Sequence, residues 1–456
     1  MRLPRTPTSQ HPRHRSHGRV VGAIAALILI GVPASAQTTE PFDPTVLNLA
    51  WTVPLRNTLH SGPVVDGDVV YVTEGFLDHT ALYAFPVACG TGGVVCEPLW
   101  RGRTAPTPHG PVIADGVVYV VSGSYVNFPV LLAFPESCRA DGGWCDPLWQ
   151  GIGSETLVVT DGIVYAGANS HTDAGPRLYA YEVACATDGE VCEPHWYADL
   201  EGDPTTIVSE QGMILVTAGG MLYAFPTECE VVEGRCDPAW TAVMPGYFGR
   251  LIVADGFAYV LGEAGVFAFA TSCGTDGATC LPEWIGATPR PRYLGGQLAV
   301  SDGLVYVSNG VRLFAFPVGC GSGGATCSPL WKAGRDLGLG SFATDPVAGD
   351  GIVVVGGSQL VAFESTCGSN GDTCAPAWVT RPPEKFRYTS PKTISDGFVL
   401  IGWGRRLLAF PLICGAAGEI CPRVWGRSVG RAEYSPPVVA DGSVYYVSDR
   451  LYAFQP

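Results

Sequence analysis

One motif recurs eight times along this chain: a cysteine, six residues, a second cysteine, and a tryptophan four residues later. The pairs account for all sixteen cysteines and are Cys89/Cys96, Cys138/Cys145, Cys185/Cys192, Cys229/Cys236, Cys273/Cys280, Cys320/Cys327, Cys367/Cys374 and Cys414/Cys421. The matching tryptophans are Trp100, Trp149, Trp196, Trp240, Trp284, Trp331, Trp378 and Trp425. The first cysteines lie 44 to 49 residues apart. A fixed period of this length indicates a propeller or a solenoid, so the motif limits the fold to repeat architectures.

Within one repeat the sequence predicts four short strands. In residues 110–149, a short apolar run is followed by Asp115-Gly116, which is a strong signal for a tight turn. A second strand rich in valine follows, then a loop, a third strand ending at Phe134, and a fourth that includes Trp149. Four antiparallel strands per unit are typical of a propeller blade, and no segment has sustained helical periodicity.

Three independent counts predict nine blades. The tight-turn motif occurs nine times from Asp66-Gly67 to Asp441-Gly442, and the aromatic end of the third strand occurs nine times from Phe85 to Phe454. The last unit lacks a fourth strand, while residues 48–53, with Trp51 in the same register as the repeat tryptophans, form a lone one. We therefore expect an all-β fold, a single closed β-propeller of four-stranded antiparallel blades over residues 48–456. The N-terminal strand completes its last blade and removes exposed sheet edges. Eight blades is the alternative.

The N-terminal residues have the features of an export signal. Residues 1–36 combine an arginine-rich start, an apolar run over residues 20–32 and a small-residue cleavage site at Ala34-Ser35-Ala36, and residues 37–47 read as a linker. An uncleaved anchor is the alternative, and we expect no integral membrane segment in the mature chain. Secretion to an extracytoplasmic location agrees with the cysteines, which form disulfides by default in oxidising compartments.

Each cysteine pair is expected to form a disulfide across its own hairpin. Glycine stands four residues after the first cysteine in seven of the eight pairs, where a turn with positive φ favours it. Closing a loop of this size stabilises the fold by about 2.5 kcal/mol in the chain-entropy model. The identical spacing in every copy favours a structural staple over zinc binding or redox chemistry.

The net charge of the chain limits the classes of partner that it can bind. The chain carries 27 Lys and Arg against 42 Asp and Glu, for a formal net charge of −15. An acidic surface repels phosphate backbones, so we expect no nucleic-acid partner. We expect a monomer that binds a protein or a surface glycan.

The repeat resembles the PQQ-binding-like propeller family, which includes quinoprotein dehydrogenases and the outer-membrane assembly factor BamB. The resemblance rests on the Pro-x-Val-x-Asp-Gly-x-Val-Tyr run and on strands such as Leu82-Tyr-Ala-Phe85 and Leu222-Tyr-Ala-Phe225, and it covers residues 48–456. It implies the blade architecture, while the adjacent cysteines and long acidic loops of the dehydrogenases have no match here. We therefore expect no cofactor, with PQQ and calcium as the alternative.

A candidate site lies where the loops of three neighbouring blades are longest. The loops at residues 74–80, 122–128 and 168–174 exceed their counterparts, and irregular loops on a regular scaffold concentrate binding residues. The predicted partner or ligand patch consists of Phe76, His79, Tyr125, Phe128 and His171. We expect no metal site, and the alternative is a site formed by His60, His109 and Glu155 at the starts of the same blades.

These observations favour a secreted, non-catalytic propeller that serves as a binding scaffold. A quinone-dependent oxidoreductase is the first alternative, and it would require PQQ or another quinone. A carbohydrate-binding propeller is the second, but it predicts a similar pocket in most blades, whereas the long loops occur in three.

Overall fold

The computed structural model describes most of the chain after residue 41. The described residues are 42–55, 62–76, 79–106, 108–122, 130–154, 156–244, 250–289, 297–334, 344–357, 359–381, 389–415, 417–431 and 435–456, and the side chains of Phe76, His79, Thr344 and Thr389 are not described.

Apart from one turn of 3₁₀ helix at Pro44–Val46, the regular elements of the described residues are strands. The first sixteen are β1 (Asn48–Pro54), β2 (Val64–Asp66), β3 (Val69–Phe76), β4 (His79–Pro86), β5 (Val94–Val95), β6 (Trp100–Arg103), β7 (Val112–Ala114), β8 (Val117–Ser122), β9 (Val130–Pro135), β10 (Trp144–Cys145), β11 (Trp149–Gly151), β12 (Leu157–Thr160), β13 (Ile163–Ala168), β14 (Arg177–Glu182), β15 (Glu190–Val191) and β16 (Trp196–Asp199). The next sixteen are β17 (Pro204–Glu210), β18 (Met213–Ala218), β19 (Met221–Pro226), β20 (Val231–Val232), β21 (Arg235–Cys236), β22 (Trp240–Val243), β23 (Leu251–Ala254), β24 (Phe257–Gly262), β25 (Gly265–Ala270), β26 (Ala278–Thr279), β27 (Trp284–Ala287), β28 (Gln297–Ser301), β29 (Leu304–Ser308), β30 (Arg312–Pro317), β31 (Ala325–Cys327) and β32 (Trp331–Gly334). The last are β33 (Thr344–Gly349), β34 (Ile352–Gly356), β35 (Val361–Glu364), β36 (Asp372–Thr373), β37 (Trp378–Val379), β38 (Thr389–Ser395), β39 (Phe398–Trp403), β40 (Arg406–Pro411), β41 (Glu419–Ile420), β42 (Trp425–Ser428), β43 (Val438–Ala440), β44 (Ser443–Val447) and β45 (Arg450–Gln455).

The strands form nine sheets, which confirms the nine-bladed propeller. Blades 1 to 8 each take four antiparallel strands in chain order, beginning with β2, β3, β4 and β6 in blade 1. Blade 9 consists of β43, β44 and β45, with β1 as its outer strand. The closing ladder runs from Asn48 opposite Gln455 to Pro54 opposite Arg450, so the N-terminal strand completes the ring as predicted.

Each blade has the four antiparallel strands that the sequence predicts, but most sheets contain one strand more, so the exact strand count differs. The outer strand of a blade also pairs in parallel with a short strand from the disulfide hairpin of the following blade, as β6 does with β10 and β1 with β5. Seven sheets therefore have five strands, blade 3 has six because its neighbour's hairpin contributes β20 and β21, and blade 8 has four. The local pattern did not indicate this pairing because it joins residues of different repeats.

All eight predicted disulfides are present, and no cysteine is free. They are Cys89–Cys96, Cys138–Cys145, Cys185–Cys192, Cys229–Cys236, Cys273–Cys280, Cys320–Cys327, Cys367–Cys374 and Cys414–Cys421. The Cα atoms of each pair are 5.7 to 6.2 Å apart, within the usual range for a disulfide. The fourth residue after the first cysteine has positive φ in every copy, including Glu233 at 53°, where the others have glycine. Each disulfide therefore holds together the hairpin that covers the preceding blade.

The core consists of nine hydrophobic clusters, one between each pair of neighbouring blades. The cluster between blades 9 and 1 joins Trp51, Val70 and Phe85, so the seam of the ring is packed like the other interfaces. The repeat tryptophans are buried, as predicted, and most donate their indole N–H to a backbone carbonyl of the next blade. Trp284 Nε1, for example, lies 2.9 Å from the oxygen of Val318.

The two cysteines of each pair differ in burial, a difference that the sequence did not indicate. The first is half-buried in every copy, whereas the second is buried in the core. The buried cysteines are Cys96, Cys145, Cys192, Cys236, Cys280, Cys327, Cys374 and Cys421. Cys192 lies in the cluster between blades 2 and 3, Cys374 in the one between blades 6 and 7, and Cys421 in the one between blades 7 and 8. The disulfides are therefore anchored in the packing between blades rather than displayed as a surface site, which agrees with a structural staple.

The tight turns match the sequence motif in eight of the nine blades. Asp115 and Gly116 have φ values of 53° and 75°, which the type I′ turn between twisted strands requires. In blade 1 the expectation that the turn lies at Asp66-Gly67 is wrong by one residue, because Asp66 pairs with Val69 and leaves Gly67 and Asp68 in the turn.

Residues 42–47, here called the N-terminal clasp, take the place of a hairpin in blade 9. Leu47 stands four residues before Trp51, where the other repeats have their second cysteine, and its side chain is fully buried in the cluster between blades 8 and 9. Its carbonyl oxygen accepts hydrogen bonds from Trp425 Nε1 at 3.2 Å and from the Arg427 guanidinium at 2.6 Å. The clasp therefore joins blade 8 to blade 9, where no disulfide hairpin is present.

Candidate functional site

The structure describes only part of the predicted patch. His60, Tyr125, Phe128 and Glu155 lie outside the described residues, and the backbones of Phe76 and His79 pair with each other across β3 and β4 while their side chains are not described. The patch therefore stays a prediction, and the metal set stays an untested alternative.

Two of the predicted histidines are visible, and both are exposed. The backbone N–H of His109 donates to Val121 O at 2.9 Å. His171 lies in the loop between β13 and β14, which is held by a 2.6 Å hydrogen bond from Ser170 N to the carboxylate of Asp203. Within the part of the chain that the structure describes, no group of three or more His, Cys, Asp or Glu side chains is placed to hold a metal ion.

A groove on the rim of blade 1 combines charge, an exposed aromatic ring and an apolar floor. It lies between the hairpin that covers blade 9 and the hairpin that covers blade 1, and its volume is about 570 Å³. We call it the Arg–Trp groove, and its lining residues are Val53, Pro54, Leu55, Glu74, Thr80, Ala81, Tyr83, Phe85, Val95, Cys96, Glu97, Pro98, Arg101, Arg103, Thr104 and Trp144.

The alternation of β6 places both arginines in this groove. Trp100 and Gly102 point into the interface with blade 2, where a Cβ at Gly102 would come within 2.7 Å of the Phe134 ring. Arg101 and Arg103 occupy the opposite face, because successive side chains of a strand point to opposite sides. Packing against blade 2 thus fixes the residues on the inward face of the strand, whereas the residues on its outward face line the groove.

Trp144 organises the two guanidinium groups. It pairs with Arg101 in the parallel ladder between β10 and β6, and 42% of its surface is exposed. The guanidinium carbon of Arg103 lies 4.5 Å from the centre of the Trp144 ring, and that of Arg101 lies 5.6 Å away. Both distances are in the range of cation–π attraction.

Each arginine retains hydrogen-bond donors for a ligand. Arg101 donates its Nε–H to Gly142 O at 2.9 Å, which fixes the side chain and leaves its terminal nitrogens available. Neither guanidinium forms an ion pair with any described residue. Two acids also line the groove: Glu74, which is buried, and Glu97, which is exposed.

Blade 3 shows the same positions with their charges neutralised. The residue at the place of Arg103 is Asp199, which pairs with Arg177 at 2.7 Å and with Arg235 at 3.7 Å. Arg177 also lies over the ring of Tyr197, at 4.2 Å. The blade-3 surface is therefore an internally satisfied ion-pair cluster, whereas in blade 1 an arginine stands where the neutralising carboxylate would be.

A second set of charges lies on the inner strands, which contact one another around the axis. Arg250, just before β23, bonds to Asp345 of β33 at 2.7 Å. Lys392 of β38 is only 4% exposed, and this burial lowers its pKa to about 7, while the negative charge of Asp345 acts in the opposite direction. The folded environment therefore favours the uncharged form of this amine.

Sequence reasoning missed the Arg–Trp groove although a signal was present. Nine of the eleven tryptophans fall in the repeat register, and Trp144 and Trp403 do not. Trp144 stands directly before a second cysteine, where other repeats have small or β-branched residues or a charged residue. An extra tryptophan beside a strand with two arginines could have marked this blade.

Comparisons with known proteins add little beyond the architecture. No protein-family model matches the chain, and no curated protein matches its sequence. Among solved structures it is similar to Sqt1 of Saccharomyces cerevisiae, at 9% identity and a TM-score of 0.48, over 90% of this chain and 99% of that one. It is also similar to the computationally designed Ika8 protein, at 12% identity and a TM-score of 0.47, over 77% and 95% of the two chains. A third likeness is to the dihydro-heme d1 dehydrogenase NirN in complex with DHE, at 12% identity and a TM-score of 0.47, over 89% and 79%. Likenesses this distant carry no inference about activity, and the resemblance to PQQ-binding-like propellers stays a prediction.

Proposed function

We propose that this protein is a secreted, non-catalytic binding platform that holds its partner in the Arg–Trp groove of blade 1. The observation that carries the proposal is that Arg101 and Arg103 of blade 1 meet Trp144 of the blade-2 hairpin, at positions that blade 3 fills with a neutralised cluster. Aromatic and arginine side chains provide most of the binding energy at protein interfaces. A lectin-like propeller is expected to repeat its pocket from blade to blade, so a protein partner is favoured.

The scaffold supports this proposal in two ways. Eight disulfides fit an oxidising environment, in agreement with export, and among the described residues no helix is long and apolar enough to cross a bilayer. The disulfide hairpins also form the two walls of the groove, so the binding surface rests on cross-linked elements. A rigid site loses less conformational entropy when it binds.

A photo-crosslinker at position 144 tests the proposal directly. Benzoylphenylalanine replaces either Trp144 or Ile420, which holds the same place in the hairpin of blade 8 and is also exposed. With the extracytoplasmic fraction of the producing cells, we expect a discrete adduct from position 144 that is lost when Arg103→Gln is added. Equal adducts from both positions, or none from position 144, would contradict the proposal.

The resemblance keeps one enzymatic alternative open, a quinone-dependent oxidoreductase. Titration of the oxidised protein with PQQ and calcium, followed by dye-linked turnover of alcohols and sugars, separates the two functions. Saturable cofactor binding with turnover would replace the platform proposal.

A further inference from the structure

We propose that the Arg–Trp groove recognises an extended acidic peptide segment whose carboxylates alternate with apolar side chains. This inference rests on the proposed function and specifies the partner chemistry of the same groove. Three features of the groove support it: the hydrogen-bond donors of the two arginines, the spacing of these arginines along β6, and the other residues that line the groove.

The donors suit carboxylates. A guanidinium stacked on an aromatic ring keeps its N–H groups directed outward in its own plane, where they match the two oxygens of a carboxylate. Arg103 lies 4.5 Å from the centre of the Trp144 ring, and Arg101 is held by its bond to Gly142 O. Both arginines are therefore positioned before the ligand arrives, so little side-chain entropy remains to be lost on binding.

The spacing suits an extended chain. Arg101 and Arg103 are two residues apart on one face of β6, which places their Cα atoms about 7 Å apart. A peptide in a β conformation repeats its own side chains on one face at the same interval, so acids at positions i and i+2 face the two arginines together. Adjacent acids would point to opposite sides, and only one of them would reach an arginine.

The remaining walls favour a peptide over an acidic sugar. Val53, Leu55 and Val95 also line the groove, and they suit apolar side chains between the acids. A pyranose ring needs an open aromatic face, whereas Arg103 already covers one face of Trp144. The net charge of −15 repels acidic segments from most of the molecule, whereas in this groove two arginines balance the charges of Glu74 and Glu97.

The test measures binding of two fluorescent heptapeptides of identical composition to the oxidised full-length protein. One has three glutamates alternating with valines, and the other has the three glutamates adjacent. We expect saturable binding of the alternating peptide, at least fivefold tighter than the adjacent one. Arg101→Gln and Arg103→Gln should each weaken that binding about tenfold to hundredfold, because each removes charge-assisted hydrogen bonds.

The repeat provides matched control variants. Lys332→Gln and Arg381→Gln remove cations at the places of Arg101 and Arg103 in blades 6 and 7. Both should leave the affinity within twofold of wild type, and circular dichroism melts should show that all four variants fold. An equal loss in the controls would mean diffuse charge attraction and would overturn the inference.

Two further outcomes overturn the acidic-peptide assignment. The first is tighter binding of oligogalacturonate than of the alternating peptide, which would assign the groove to acidic glycans. The second is absence of saturable binding by either peptide up to millimolar concentration. If the crosslink from position 144 persists in that case, the platform proposal stands and only the ligand class is wrong, whereas loss of both rejects both.

Discussion

Removal of the Cys89–Cys96 disulfide is expected to loosen the seam of the ring. The hairpin that this disulfide closes covers β1, through hydrogen bonds from Gly93 N to Ala50 O at 2.8 Å and from Cys96 N to Thr52 O at 3.0 Å. The double variant C89A/C96A leaves both bonds chemically available but releases the constraint on the hairpin. The hairpin should then open more often while the blade behind it stays folded.

The magnitude follows from the length of the loop. The two cysteines are seven residues apart, so the disulfide closes a loop of eight residues. In the chain-entropy model, closing such a loop removes about 8 cal/mol/K from the open state, or about 2.5 kcal/mol at room temperature. The open population should therefore rise about 70-fold in the variant.

Amide hydrogen exchange at residues 93–96, followed by mass spectrometry, measures this opening. Exchange there should accelerate by about 70-fold if closing is faster than exchange. The same substitutions at Cys273 and Cys280, whose hairpin covers β22, serve as control and should leave residues 93–96 unchanged. Cys96 is buried, so its substitution by alanine also removes an atom from the core. Mild reduction of the wild type therefore gives a second measurement in which no atom is lost. Unchanged exchange rates in both experiments would refute the prediction that this disulfide keeps the hairpin closed.

Buried Lys392 and half-buried Glu136 both predict pH-dependent stability. Burial lowers the pKa of Lys392 in the folded protein from 10.5 to about 7. The melting temperature of Lys392→Met should therefore exceed that of the wild type below pH 7, and the difference should disappear as the pH rises towards 10.5. Lys332→Met, on an outer strand, is the control. Burial, and then contact with Asp66, raise the pKa of Glu136 in the folded protein above 4.5, so the ionised carboxylate destabilises the fold. The melting temperature of Glu136→Gln should therefore exceed that of the wild type at pH 7 but not below pH 4.5. Glu364→Gln, at an exposed site, is the second control. Thermal melts from pH 4 to 10 measure both effects, and a difference that does not change with pH would contradict either prediction.

The sequence predicted the fold to the level of blade count, closure and disulfide pairing. Those features depend on short-range signals: alternation along each strand, tight turns such as Asp115-Gly116, and cysteines seven residues apart. Trp51 and Phe454 indicated that the two ends of the chain share one blade. Trp51 belongs to a fourth strand without the first three, and Phe454 ends a third strand that no fourth strand follows. Local chemistry repeated many times leaves few alternative arrangements.

The remaining features depend on contacts between repeats. Pairing of β10 with β6, and the clasp at Leu47, join residues that no local pattern relates, so the fifth strands were not predicted. The burial of cysteines such as Cys192 has the same origin, because it comes from packing against the neighbouring blade. The Arg–Trp groove is also of this kind, since Trp144 belongs to blade 2 and Arg103 to blade 1. The predicted loop patch depends on side chains such as Tyr125 that lie outside the described residues.

The covering of each blade by the next has a consequence for the order of folding. As the chain is made from its N-terminus, the outer strand of each blade stays open until the following hairpin has formed and oxidised. β1 waits longest, because its antiparallel partner β45 belongs to the ninth blade and is made after the other eight. Until then this β-forming segment, with its row of unpaired backbone groups, must be kept from pairing with other chains. The yield of folded protein should therefore depend on how quickly the ring closes once β45 has been made.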